Sequence, residues 1–280
     1  VGSNCAEISE KIQKAGRKLL SEGKVERIIG FGRGEFTGEI TPIFVTEPER
    51  AKELLFTPEC DMMLAKYLLD YKGSKTGIVA KPCDTRAITV YLAEELIKRE
   101  EVYIIGINDC EGLEENDACA ECGVRNPVVA DEEIGDPRSE EIEVTIEDEL
   151  EGMTSEERLE YFQKEFTRCI RCYACREACF VCTCDECFVD SNQPQWVGDS
   201  IGKRDNFTFH LMRAMHMAGR CINCGACEQA CPEGINMRAL TKHLYRVAKE
   251  IYQFEPGLDP EEKTLFATYK LNDSEQGFLD

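Results

Sequence analysis

The sequence has no apolar run approaching the roughly 18 residues that cross a bilayer. Its start, "VGSNCAEISE", lacks a basic segment leading into an apolar core. Neither a membrane span nor a secretory leader is therefore expected, and a cytoplasmic protein is. Basic residues are few: 33 Lys and Arg stand against 54 Asp and Glu, a net charge of −21 over 280 residues. Such a surface repels phosphate backbones and argues against nucleic acid as a partner. It suits docking onto basic patches of other proteins. No G-x-x-x-x-G-K phosphate loop occurs, and no nucleophile–base pair stands out.

What the chain has in abundance is cysteine, 17 residues of it. A disulfide scaffold is usually shorter and even in count, and a C-x2-C pair within one turn is poor disulfide geometry. Structural zinc also uses C-x2-C pairs. Iron–sulfur clusters fit the spacing best, and they imply a reducing, anaerobic cytoplasm.

Residues 169–188, "CIRCYACREACFVCTCDECF", contain seven of these cysteines. Cys169, Cys172, Cys175 and Cys179 form a C-x2-C-x2-C-x3-C run. A second copy, "CINCGACEQACPEG", supplies Cys221, Cys224, Cys227 and Cys231. Two such runs are the signature of a two-cluster ferredoxin, in which the fourth cysteine of each run crosses to the other cluster. One 4Fe–4S cluster is thus expected on Cys169, Cys172, Cys175 and Cys231, and another on Cys221, Cys224, Cys227 and Cys179. Gly225 permits a tight turn and Pro232 ends the second run; Phe180, not proline, follows the first.

The N-terminal stretch alternates helical patterns with apolar runs. "CAEISEKIQKAGRKLLSEGK", "EPERAKELLF" and "CDMMLAKYLLDY" read as helices, "VERIIGFG" and "TPIFVT" as strands. "TGIVA", "KPCDTRAITVYLAEELIKRE" and "VYIIGI" read as a βαβ unit, and hence as part of a parallel sheet. The expected fold is an α/β N-terminal domain (1–130) with a small, partly parallel sheet, then an acidic connector (131–160) with one edge strand, "IEVTI". A C-terminal α+β dicluster ferredoxin-like domain (161–250) with a long insertion follows, and an extended arm (251–280) ends the chain. "TSEERLEYFQKEF" reads as a helix capped by Thr154 or Ser155, and "DNFTFHLMRAMHMAGR" as a capped helix leading into Cys221. His210 and His216 on it read as packed or surface side chains.

Cys83 stands at the mouth of a βα turn and Cys110 just after the next strand. Adjacent parallel strands place these two ends side by side, where open α/β sheets build sites. With Cys119 and Cys122 a few residues on, four thiolates can converge on a third cluster; a lone cysteine beside an unrelated C-x2-C pair is the alternative. Cys182, Cys184 and Cys187 remain as a trio. Cys60, read as a helix-start cysteine of low pKa, is expected to complete it as a fourth cluster at the domain interface. Zinc and a ligand from a partner chain compete for the trio, and Cys5 is left over.

"GIVAKPCDTRAI", "VYIIGINDCEGL" and the C-x2-C that follows resemble the beta subunits of deazaflavin-coenzyme hydrogenases and formate dehydrogenases. The whole chain is similar to iron–sulfur subunits that fuse such a domain to a dicluster ferredoxin. Those subunits accompany heterodisulfide-reductase-like and flavin oxidoreductase complexes. The resemblance implies a cluster on Cys83, Cys110, Cys119 and Cys122, and in some members FAD. "GFGRGEF" is not a dinucleotide fingerprint, so FAD finds no support in the sequence, and Gly30, Gly32 and Gly34 read as a tight turn. The expected function is relay of single electrons beside catalytic or flavin-bearing subunits. The alternatives are a flavin-containing catalytic beta subunit that reduces a deazaflavin or nicotinamide coenzyme, and a zinc scaffold.

Overall fold

A computed structural model describes residues 2–108, 110, 117–139 and 149–267. The chain opens with α1 (Gly2–Ser21), followed by the hairpin strands β1 (Arg27–Arg33) and β2 (Ile40–Val45). Ile8, Ile12, Ala15 and Leu19 recur at helical spacing on α1 and are buried. Then come β3 (Thr76–Ala80), α2 (Pro82–Ala93), β4 (Val102–Ile107), the single turn α3 (Asp117–Ala120) and β5 (Glu132–Ile134). The sheet order is β2-β1-β3-β4-β5. β1 and β2 are antiparallel, while β1–β3, β3–β4 and β4–β5 are parallel. Every residue of β3 is buried, as suits a central strand covered on both faces.

"EPERAKELLF" and "CDMMLAKYLLDY" form only short 3₁₀ turns, Pro48–Glu53 and Ala65–Tyr71. The second begins late because Asp84 Oδ1 takes the N–H groups of Leu64 (2.6 Å) and Ala65 (3.0 Å). Gly30 and Gly32 lie in β1, not in a turn. A Cβ on either would stand 2.5 Å from a side chain, Leu54 or Ile43, so glycine permits close packing there. The turn comes later, with Gly38 at φ 84°. β5 was not foreseen; it carries the sheet past residue 130 into the acidic stretch. The anticipated strand "IEVTI" lies outside the described residues.

The second half holds α4 (Ser155–Thr167), α5 (Ala174–Ala178), α6 (Lys203–Met217), α7 (Ala226–Gln229) and α8 (Arg238–Tyr252). Thr154 caps α4 in a reciprocal box with Glu157. α6 starts two residues before Asp205 and has no side-chain cap; Asp205 instead accepts from the Gly198 N–H at 3.1 Å. The α+β expectation fails among the described residues from 149 to 267, which form helices and turns without a strand. The cysteine runs explain part of this: each is a loop closed on sulfur and followed by a one-turn helix. A second core gathers Phe162, Phe166, Val197, Phe209, Ile235 and Met237.

The two halves are joined by specific bonds. Tyr91 Oη donates to the Phe180 carbonyl at 2.7 Å, and their rings meet edge to face at 5.9 Å. The segment after α8 returns to α2, where Arg86 donates through Nε and Nη2 to the Pro256 carbonyl at 3.2 and 2.7 Å. Among the described residues no helix is long and apolar enough to cross a membrane.

Candidate metal centre

None of the 17 cysteines is paired in a disulfide. In the first run, Arg171 (φ 55°) and Tyr173 (φ 61°) adopt left-handed backbone; in the second, Asn223 (φ 59°) and Gly225 (φ 74°) do so at the matching positions. This turns a backbone N–H onto the first sulfur of each run: Arg171 N to Cys169 Sγ at 3.3 Å, and Asn223 N to Cys221 Sγ at 3.4 Å. Such a concave row of N–H groups favours a thiolate and an anionic cluster. Left-handed backbone is costly for Arg171 and Tyr173, so the first run is a constrained loop, while Asn223 and Gly225 adopt the same shape at little cost.

The loops gather thiols from both runs. Cys169 lies within electrostatic reach of Cys172 and Cys231, and Cys175 within reach of Cys169, Cys231 and Cys227. Cys224 neighbours Cys221, Cys179 and Cys227. Burial raises the Cys175 and Cys221 pKa values to about 12. Thiols so buried and so close do not ionise alone; bound cationic iron would stabilise their thiolates.

A third gathering lies at the carboxyl ends of β3 and β4. Cys83, Cys110, Cys119 and Cys122 line one cavity of about 130 Å³, and Cys224 of the second run lines it too. Burial, then Cys110 and Cys122, push Cys119 up to about 11. The loop carrying Cys83 is held by a buried hub. Asp84 pairs with Lys81 at 3.0 Å, and Lys81 Nζ donates to the Met62 carbonyl at 2.6 Å. Burial works against the Lys81 ammonium, but Asp84 and the neighbouring thiols override it and raise its pKa. On the other side, Glu121, between Cys119 and Cys122, pairs with Arg238 and with Lys242 (3.0 Å) of α8.

The remaining cysteines part company. Cys60 is not at a helix start: it sits in a turn in the main core, its Sγ accepting from Thr57 N at 3.3 Å, and burial raises its pKa rather than lowering it. Cys182 lies against Cys179 and Arg213, Cys187 against Arg176, and Cys184 is exposed. These partners are not those of Cys60, which are Thr57, Lys81 and Glu59. His210 is packed: its ring stacks on Phe166 at 4.3 Å, and burial pulls its pKa down to about 3.

Among the described residues, no three His, Cys, Asp or Glu side chains are drawn together as ligands of a single metal ion would be. A cubane needs its thiolates farther apart, because each binds a different iron at the corner of a larger body. The inward N–H groups suit its charge. The sequence reading missed Arg213, Arg238 and the Lys81–Asp84 hub. The only signal for Arg213 was a basic residue on the apolar face of α6, three residues after His210 and four before Met217.

Residues 165–235 match the family model of a 4Fe-4S dicluster domain, the class that the paired loops define. Over most of its length the chain is also similar to two curated proteins. One is "F420-dependent formate dehydrogenase subunit beta" of Methanocaldococcus jannaschii, 22% identical over 89% of this chain and 91% of the relative. The other is "F420-dependent formate dehydrogenase 1 subunit beta" of Methanococcus maripaludis, 22% identical over 71% of this chain and 78% of the relative. Together these matches support an iron–sulfur subunit of the beta-subunit kind, with 4Fe–4S clusters as its cofactors.

Proposed function

We propose that this chain is the electron-transfer subunit of a multi-subunit oxidoreductase and holds three 4Fe–4S clusters. The carrying observation is the repeated loop: two cysteine runs with left-handed backbone at the same positions and the same N–H···S bond. The first set of ligands is Cys169, Cys172, Cys175 and Cys231. The second is Cys221, Cys224, Cys227 and Cys179, and the third Cys83, Cys110, Cys119 and Cys122. When bound, such clusters supply one-electron chemistry. The chain's part is to bury the thiolates, exclude water and keep the sets adjacent. Cys175 neighbours Cys227, and Cys83 neighbours Cys224, so the three sets form one unbroken row. For Cys182, Cys184 and Cys187 the support is spacing alone, and the surroundings of Cys60 speak against it as their fourth ligand.

The relatives' names favour a catalytic formate dehydrogenase subunit as partner, ahead of heterodisulfide-reductase-like assemblies. Their stated F420 dependence favours, as a second reading, a flavin-containing catalytic beta subunit that reduces a deazaflavin coenzyme. Anaerobic purification with iron, acid-labile sulfide, zinc and flavin analysis tests both. About twelve irons with as many sulfides are expected, three cubanes' worth. Zinc without sulfide would sink the cluster reading, and stoichiometric flavin would favour the second.

A further inference from the structure

Arg213 is a buried cation with no carboxylate partner among the described residues. It is 5% exposed and sits between the two cysteine runs on α6. Nη2 donates to the Cys175 carbonyl at 3.0 Å and Nη1 approaches Met237 Sδ at 3.7 Å, while Nε has no acceptor. The groups that offset its charge are thiols: Cys179 and Cys227 most strongly, then Cys175 and Cys182. A guanidinium stays protonated in proteins, and a buried charge is costly unless compensated. Here the thiolates of a bound cluster would supply the compensation. The asymmetry is one of number: Cys179 and Cys227 both belong to the second ligand set, and Cys179 Sγ also lies 3.5 Å from Met217 Sδ one turn further along α6, whereas the first set meets Arg213 through Cys175 alone, by its thiol and its carbonyl.

Resting on the three-cluster reading, we propose that Arg213 is a positioning residue whose fixed charge holds the cluster of Cys221, Cys224, Cys227 and Cys179 at a higher reduction potential than that of Cys169, Cys172, Cys175 and Cys231. Reduction adds one negative charge to a cluster. A nearby cation in a medium of low dielectric stabilises that charge, and more so at shorter range. Because the guanidinium is already charged, the electron, delivered by a neighbouring cluster or an outside one-electron donor, arrives without any proton being taken up by Arg213. The inner of the two clusters, next to Cys83, thereby becomes the place where an electron rests.

The full chain is titrated electrochemically under anaerobic conditions with EPR detection, as wild type, Arg213→Gln and Arg213→Lys. Iron and acid-labile sulfide are measured first. The second set's signal is the one that Cys179→Ser removes. Arg213→Gln is expected to weaken one-electron reduction of that set about tenfold, 59 mV, and to move the first set by less. Arg213→Lys, which keeps the charge, is expected to retain the wild-type order of potentials. Equal shifts in both sets, or no shift at full iron content, would overturn the proposal. If Arg213→Gln cannot hold iron, Arg213→Lys decides alone: retained order supports it and a collapsed order overturns it. Loss of iron in both variants makes Arg213 merely structural and also overturns it. Wild-type protein without acid-labile sulfide would remove the cluster reading itself, a failure visible before any potential is read.

Discussion

The two cysteine runs share spacing and backbone but not surroundings. In the first, Cys172 is exposed and Ile170 keeps 46% of its surface in water. In the second, the matching Ile222 is 4% exposed, and Ile222 and Ala226 belong to the main core built on the sheet. Cys169, Tyr173 and Cys175 of the first run pack instead with the smaller core of Phe162, Phe166 and Phe209, and only its end, Ala178 and Cys179, reaches the main core. Spacing therefore fixes the loop, and the residues between the cysteines fix where the loop sits. On the proposed reading, the outer run is the one a partner protein can approach, and the inner run meets the third cysteine set.

The sharpest way to break this comparison is Cys179→Ser. Cys179 belongs in sequence to the outer run but lies with Cys221 and Cys224 of the inner one. Serine keeps the shape and removes the soft ligand. The expected loss is about four irons, one cubane's worth, with the inner run's EPR signal altered and the outer one's retained. A variant that perturbs only the signal of Cys169, Cys172 and Cys175 would refute crossed ligation.

The next test substitutes the same position in both runs. Ile222→Ala opens a hole under the sheet and should cost about 3 kcal/mol. Ile170→Ala trims a half-exposed side chain and should stay within about 0.5 kcal/mol. Anaerobic urea midpoints of the cluster-loaded protein read the difference. Equal costs would mean that the two runs are equally buried in solution.

How much of this was legible in the sequence follows from the range of the forces involved. The unit β3–α2–β4 was readable because "TGIVA" and "VYIIGI" are apolar runs flanking a helical pattern, and pairing them needs no distant information. The paired runs were readable because ligand spacing is local. β5 escaped because three residues, two of them Glu132 and Glu133, carry no alternation; β4 recruits them. Cys60 was misread because its N–H closes on the Thr57 carbonyl, while Asp84, twenty residues away from Leu64, decides where the next turn begins. Phe180 in place of proline was visible but not its consequence: its carbonyl is the acceptor for Tyr91, which ties the outer run to α2. Arg213 was invisible as a functional group, because an arginine on a helix reads as surface until the opposing thiols are placed around it.

The smallest expected effect concerns the second left-handed position. Gly225 fills it in the inner run at φ 74°, and Tyr173 fills it in the outer run at φ 61°. Glycine adopts this backbone freely, while other residues are strained there by about 1 kcal/mol or more. Gly225→Ala should therefore lower stability by about 1 kcal/mol without loss of iron. The reverse change in the outer run should not return that energy. Tyr173 meets Phe209 edge to face at 5.4 Å, and Arg176 lies over its ring at 4.8 Å. Tyr173→Gly relieves the strain but removes both contacts, worth about 0.5–1.5 and 0.5–1 kcal/mol by type. Net loss or no change is expected there, measured by the same midpoints at constant iron. A stabilising Tyr173→Gly would mean that the ring contacts carry no weight and that the outer loop is held in its strained form by the cluster ligands alone.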